Sequence, residues 1–229
     1  MAVVHLGVEP YGPALELQRR LVALRQEGRI GDTLLLLEHD PVITLGRRAD
    51  PGHILASPEA LARAGIAVHR VERGGDVTYH GPGQLVGYPI VHLPSLGLGA
   101  SDYMHHLEDV LAAALAEWGI ATQRRTGVIG VWVGDNKIAA LGVRVSKGVT
   151  YHGFALNVAP NMDHWATIIP CGITDGGVTS ISQELGTAPP MAGVRTQVVR
   201  HFGERFGARM CTVTLEALLA APPTHAVAD

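Results

Sequence analysis

Three stretches of this sequence carry side chains whose type and setting could do chemistry. In Ile169-Pro170-Cys171-Gly172-Ile173 a thiol sits between a proline and a glycine. Such a turn is stiff enough to aim the thiol, and the N–H of the next residue can face the same ligand. Lys137 opens Lys137-Ile138-Ala139-Ala140-Leu141-Gly142, an amine followed by four apolar residues. Arg73-Gly74-Gly75-Asp76-Val77-Thr78-Tyr79-His80-Gly81-Pro82-Gly83-Gln84 packs four glycines and a proline into twelve residues. That composition is not expected to build a regular element. It lets the backbone approach a ligand and offer its N–H groups, with Arg73, Thr78 and His80 as flanking polar side chains. Each stretch also has a plainer reading. A lone cysteine is more often buried and inert, which suits Cys211 in the strand-like MCTVTL. A lysine ahead of an apolar run usually snorkels from a strand end, and glycine content alone fits a hairpin loop equally well.

Other common chemistries are missing. No G-x-x-x-x-G-K-[ST] loop and no G-x-G-x-x-G after a strand occurs, and Gly97-Leu98-Gly99 lacks the third glycine. Metal spacings such as HExxH or paired CxxC are absent, and the 12 histidines are scattered. His105 and His106 are adjacent, so on a helix they point to different sides. No metal and no cofactor is expected. The net charge of −3 gives no support for nucleic-acid binding. A hydrophobic content of 47% with 17% charge is that of a globular enzyme. MAVVHLGVEPYG lacks the features of a signal peptide, and apolar runs such as Leu34 to Leu37 are strand-length. With only two cysteines, a reducing cytoplasm is the expected location, and no membrane span is expected.

The elements that must hold these residues can be read from periodicity. Tyr11 to Gly28 places Leu17, Leu21 and Leu24 on one helical face. Leu34 to Glu38 reads as a buried strand, and VITLG follows Pro41 as another. Ser57 caps a short helix that Pro58 opens and Gly65 ends; a longer helix runs from a cap at Ser101 to Gly119 with Leu107, Leu111 and Leu115 in register. AVHRVE, QLVGYPIVHL, GVIGVWV, KIAALGVRV and TYHGFALNV are strand-like, with Gly134-Asp135-Asn136 as a hairpin tip. Met191 to Phe206 predicts a final amphipathic helix, and APPTHAVAD a frayed end. The expected fold is a single α/β domain over residues 1–218, with a mixed, mostly antiparallel sheet flanked by helices and residues 219–229 as a tail.

Taken in order, LLLLEHDPVITLGR, RGGDVTYHGPGQLVGYP, KIAALGVRV, HGFALNV, IPCGI and VTSISQELG resemble the lipoyl(octanoyl) transferases. The resemblance spans roughly Leu34 to Gly186 and departs at Asp40, where the family more often has a small or apolar residue. It implies the catalytic-domain fold shared with biotin and lipoate protein ligases. It also implies that Cys171 is acylated as a thioester with Lys137 beside it, tuning its ionisation. The stretches Arg73 to His80, Ala140 to Gly142 and Gly153-Phe154-Ala155 are then expected to line the acyl site. The implied donor is octanoyl-acyl carrier protein. The implied acceptors are the lipoyl domains of 2-oxoacid dehydrogenase complexes and the glycine cleavage H protein, and nothing points beyond a monomer.

The residue types suit that reaction. A thioester donor is already activated, so the missing phosphate loop is consistent. A free thiol, with a pKa of about 8.5, is only roughly 3% thiolate at pH 7. A neighbouring ammonium that brought it to about 6 would make roughly 90% thiolate. The acceptor lysine must shed a proton before it attacks, so Lys137 is expected to serve first as cation and then as base. The Gly172 N–H or an amide of Gly74-Gly75 is the expected oxyanion donor. Three rivals stand beside this reading: an ATP-dependent lipoate-protein ligase, a Cys-His hydrolase pairing Cys171 with His80 or His152, and a non-catalytic lipoyl-domain binder. Acidic protein partners predict a basic rim, for which Arg47, Arg48, Arg144 and Lys147 are candidates, with Arg124-Arg125 as a further basic pair.

Overall fold

Thr33–His39 (β2) contains the Leu34 to Leu37 run, and both of its faces are covered in the computed structural model, which describes residues 1–170 and 176–220. Leu34 and Leu36 enter one cluster with Leu107, Leu111 and Val198, whereas Leu35 and Leu37 enter another with Leu15, Leu21 and Val22. Successive side chains leave opposite faces of a strand, so an unbroken apolar run is what a strand between two helical layers needs. β2 lies parallel to Ala2–Glu9 (β1) and antiparallel to Gln84–Ile90 (β6). Beyond β6 follow Val149–Asn157 (β10), Asn136–Ser146 (β9), Val128–Val133 (β8) and Gln123–Arg125 (β7), each antiparallel to its neighbour. Cys211–Thr212 (β12) extends the other edge parallel to β1, and Gly177–Val178 (β11) pairs parallel with β9 at Asn136 and Lys137. The described residues thus form one nine-stranded mixed sheet at the centre of a single α/β domain.

Tyr11–Gln26 (α1) and Leu215–Ala220 (α6) cover one face, while Ala100–Ala116 (α3) and Met191–Phe206 (α5) cover the other. Ser57 and Ser180 cap the short helices Pro58–Arg63 (α2) and Ile181–Leu185 (α4), accepting hydrogen bonds from Ala60 and Gln183 N–H groups. Two tight hairpins frame β9. Gly134 takes φ 53 at the β8–β9 tip, and Lys147 and Gly148 both take positive φ at the β9–β10 tip, the geometry that matches strand twist.

Four expectations change. The Gly-rich stretch does contain a regular element, because its glycines flank Val77–His80 (β5) and leave β-forming Val, Thr and Tyr together. β5 pairs with Val42–Leu45 (β3), which pairs with Ala67–Arg70 (β4), so a second, three-stranded sheet exists beside the main one. This small sheet packs Ile43, Leu45 and Tyr79 against Leu61, Trp165 and Ile168. The cap of α3 is Gly99, two residues before the expected Ser101. Cys211 is exposed on an edge strand, not buried. α6 runs through Ala220, and residues 221–229 lie outside the described part.

Candidate active site

β9 and β10 bring small residues into register: Ala140 faces Ala155 and Gly142 faces Gly153. A Cβ on Gly142 would lie 2.9 Å from Gly74 O, and one on Gly153 would lie 2.1 Å from Gly87 O, so side chains are excluded from this floor. The Gly-rich loop rests on it, with Gly74 N–H donating to Val143 O at 3.1 Å. Buried Arg73 fixes the loop from the other side. Its guanidinium donates to Thr44 Oγ1 and O, to Gly74 O and to Asp76 O at 2.6–3.1 Å, tying the loop to β3. Between loop and floor lies a narrow cavity of about 40 Å³. A slot this narrow suits a slender chain better than a ring system.

The cavity gathers most of the expected site residues. Arg73, Gly74, Gly75, Thr78 and His80 line it from the loop and β5, and Ala140, Leu141, Gly142, Gly153, Phe154 and Ala155 line it from the floor. Asp76, Val77 and Tyr79 do not. The Asp76 carboxylate accepts from Asp50 N–H and pairs with His53 Nδ1, and Val77 and Tyr79 pack into the small sheet, where Tyr79 hydrogen-bonds His164 at 2.7 Å. Strand alternation explains the split, since Thr78 and His80 leave the face opposite to Val77 and Tyr79.

Two buried histidines, His80 and His152, line the cavity and a third, His39, packs behind His80; burial is the main cause that keeps each neutral. His39 is pushed down to about 4 and His80 and His152 to about 3, from the usual 6.5. His39 donates from Nδ1 to Glu9 O at 2.7 Å and accepts from Tyr88 OH at 2.6 Å. Gln84 Nε2 donates to Tyr79 O and to Asn157 Oδ1, so its Oε1 faces His80 and assigns the proton to His80 Nδ1, 2.7 Å away. His80 Nε2 therefore carries a lone pair. Tyr11, whose phenol is pushed up to about 12 by burial, stacks on His80 with centroids 6.2 Å apart.

Lys137 is only 6% exposed and lines a small adjoining chamber with Asn157, Trp165 and Val178. Thr78, Ala140 and Ala155 line both spaces, so the two are neighbours. The Lys137 ammonium lies 4.8 Å from the centroid of the buried Trp132 ring, against which the Arg125 guanidinium also stacks at 4.2 Å. Gly130, at φ 149, makes room for the lysine stem: a Cβ there would lie 3.0 Å from Lys137 Cε. Cys171 and Gly172 lie outside the described residues. Pro170 and Gly176, which flank that segment, both line the Lys137 chamber.

The sequence did not single out Tyr11 and Tyr88, which line the cavity, Gly130 and Trp132, which lie against Lys137, or Gln18, which accepts from the His152 N–H behind it, and His152 entered only as a hydrolase partner. Gln18 left a signal, a carboxamide in register with Ala14, Leu21 and Val22 on the buried face of α1. Among the described residues no three His, Cys, Asp or Glu side chains converge as metal ligands, and no helix is long and apolar enough to cross a membrane.

A model of the lipoyl protein ligase A/B catalytic domain matches residues 10–203. The chain is 49% identical over 220 residues to an octanoyltransferase of Acidobacterium capsulatum, covering 90% of this chain and 89% of that one. It is 52% identical over 202 residues to the octanoyltransferase of Chloroflexus aggregans, covering 87% and 91%. Among solved structures, a lipoate-protein ligase A bound with ATP superposes with a TM-score of 0.75 at 17% identity, covering 95% of this chain and 91% of that one. The bipartite lipoate protein ligase of Thermoplasma acidophilum, studied with its E2 lipoyl domain, gives 0.73 at 18% identity, covering 93% and 86%. A biotin protein ligase of Aquifex aeolicus in complex with biotin and ATP gives 0.55 at 16% identity, covering 90% and 70%.

Proposed function

The chain belongs to the lipoyl protein ligase A/B catalytic-domain family and is an octanoyltransferase of lipoate synthesis; from that premise we propose that it carries the octanoyl group on Cys171, with Lys137 as its proton carrier. The observation that supports this most is the placement of Lys137. It lies beside the narrow, glycine-floored slot, with Thr78, Ala140 and Ala155 bordering both spaces, and the residues on either side of the segment bearing Cys171 border the Lys137 side.

In the first half-reaction the Cys171 thiolate attacks the thioester carbonyl of octanoyl-acyl carrier protein. The tetrahedral adduct collapses with cleavage of the carrier C–S bond, and the Lys137 ammonium protonates the departing carrier thiolate. Cys171 now holds the acyl group and Lys137 is a neutral amine. In the second, the lysine amine of a lipoyl domain attacks the new thioester and gives its proton to Lys137 as the amide C–N bond forms. Cys171 leaves as thiolate, and the starting ion pair is restored. No nucleotide is consumed, because a thioester supplies the driving force. Of the expected oxyanion donors, Gly74 is committed to Val143 O, which leaves Gly75 of that pair, with Gly172 outside the described residues. His80, neutral with a bare Nε2, is placed to accept a hydrogen bond from substrate, not to carry charge.

The acceptors are lipoyl domains of 2-oxoacid dehydrogenase complexes and the glycine cleavage H protein, met as a cytoplasmic monomer. The test is intact-protein mass after incubation with octanoyl-acyl carrier protein alone. One octanoyl adduct is expected, persisting in Cys211→Ser, lost in Cys171→Ala and discharged by a lipoyl domain. Octanoylation that appears only with ATP and free octanoate would overturn the reading in favour of the ligase chemistry.

A further inference from the structure

The Gly-rich loop over the slot and the segment that bears Cys171 are far apart in sequence, yet one side chain joins their surroundings. After β3 the chain lies along the Gly-rich loop: Gly46 N–H donates to Asp76 O, Arg47 N–H to Arg73 O and Arg48 N–H to Gly75 O, at 3.0, 3.1 and 3.3 Å. A Cβ on Gly46 would stand 2.4 Å from Gly75 O, so no space separates the two. The chain then makes a single turn, Pro51–His53, capped by the Asp50 carboxylate, which accepts from Gly52 N–H at 2.8 Å. His53, at the end of that turn, faces two ways. Its Nδ1 meets one oxygen of the Asp76 carboxylate, and because a carboxylate only accepts, Nδ1 carries the proton. The other Asp76 oxygen accepts from Asp50 N–H at 3.1 Å. The main-chain O of His53 accepts from Ile169 N–H at 2.8 Å.

Ile169 stands two residues before Cys171. The residues leading to it are laid against the same turn, since Leu55 and Ala56 N–H groups donate to Thr167 O at 2.8 and 3.2 Å and Ile54 pairs with Ile168. Trp165 and Ile168 also anchor this stretch, as does the Tyr79 hydroxyl on His164, but these reach the core of the small sheet. Asp76 instead follows directly on Gly74 and Gly75, which line the slot. The route Gly75–Asp76–His53–Ile169 therefore runs from the slot wall to the approach to Cys171 through one side-chain hydrogen bond.

We propose that His53 and Asp76 are positioning residues for acyl transfer, whose hydrogen bond aligns the segment carrying Cys171 with the wall of the slot. This rests on the reading of Cys171 as the acyl carrier and of the slot as the acyl site. Neither residue lines the slot or the Lys137 chamber, so ionisation of the thiol is left to Lys137. The link contributes aim. The thiolate must meet a carbonyl whose chain is already seated, with the reacting atoms about 3–3.5 Å apart, and a small displacement of either costs rate. A small alkylating reagent needs no seat and reports thiolate character alone.

The experiment uses a Cys211→Ser background. Single-turnover octanoylation by octanoyl-acyl carrier protein is followed by intact mass across carrier concentrations, beside alkylation of Cys171 by iodoacetamide. His53→Ala and Asp76→Ala should each lower the limiting acylation rate about tenfold, with the half-saturating carrier concentration and the alkylation rate within about twofold of the parent. Combined, they should lose no more than the slower single variant, as one shared contact requires. His53→Asn, whose amide nitrogen stands where Nδ1 stood, should restore the rate, and His53→Gln, whose nitrogen stands nearer the Nε2 position, should not. Acylation at parental speed in folded His53→Ala, additive losses in the pair, or alkylation falling in step with acylation would each overturn the positioning role. A parent that is alkylated at Cys171 but never octanoylated would instead overturn the acyl-carrier reading beneath it. Should the alanine variants fail to fold, the Asn and Gln variants decide, and equal rates in those two refute the link.

Discussion

Lowering the pH from 7 to 5 should destabilise this protein far more than its surface charge would suggest. His39, His80 and His152 are held neutral in the fold, at about 4, about 3 and about 3, whereas in the unfolded chain each titrates near the usual 6.5. Below pH 6.5 the unfolded chain therefore binds protons that the folded chain refuses. The unfolded state gains, and stability present above pH 6.5 is lost as the pH falls toward the folded values. Each histidine contributes a slope of at most about 1.4 kcal/mol per pH unit, hence roughly 2 kcal/mol by pH 5 and about 6 kcal/mol for the three as an upper figure. A domain stabilised by about 5–15 kcal/mol would feel this as a large fraction of the whole. The imidazoles also lie close together, with His39 and His80 centroids 5.8 Å apart and Arg73 acting on both His80 and His152. The measurement is urea unfolding followed by tryptophan fluorescence at pH 7, 6 and 5. With a slope of about 3 kcal/mol per molar urea, the midpoint should fall by about 2 M. His39→Gln removes one titrating group and should flatten the pH dependence by roughly a third. Stability that stayed within about 1 kcal/mol between pH 7 and 5 would refute the reasoning, because it would mean that the folded protein admits these protons.

Two further outcomes test the site and its rim. Gly130→Ala places a Cβ 3.0 Å from Lys137 Cε and 3.2 Å from Ala139 O at φ 149, and should cost about 1–3 kcal/mol of stability. It should also lower the octanoyl transfer rate about tenfold by displacing the ammonium; a variant as fast as wild type would count against Lys137 as proton carrier. Arg47, Arg48, Arg144 and Lys147 make no ion pair among the described residues, whereas Arg124 and Arg125 are engaged by Glu108, Asp109 and Asp135. Reversing Arg47 and Arg48 to Glu should lower kcat/KM for acidic protein partners about tenfold at low salt, with the gap closing as salt is raised. Rates and salt dependence that did not change would remove the basic rim.

The sequence carried its elements wherever periodicity was unbroken. Leu34 to Leu37 could only be a doubly covered strand, the α5 bounds Met191 to Phe206 follow from its apolar stripe, and Gly134-Asp135 had to turn. It also carried the chemistry-bearing motifs, since RGGDVTYH, KIAALG and HGFA are contiguous and their residues do not depend on distant partners to be noticed. What those motifs do to one another was decided by pairing. The split of Arg73 to His80 into cavity-lining and small-sheet residues follows from β5 joining β3, a contact between positions more than thirty residues apart. Cys211 reads as a buried strand thiol until β12 is placed at the sheet edge, where nothing covers it. Gln18 and His152 are 134 residues apart and meet only because α1 lies across β10. Local side-chain pattern fixes which face of an element is apolar. Which polar groups that face then buries together depends on long-range packing, and no single stretch of sequence contains it.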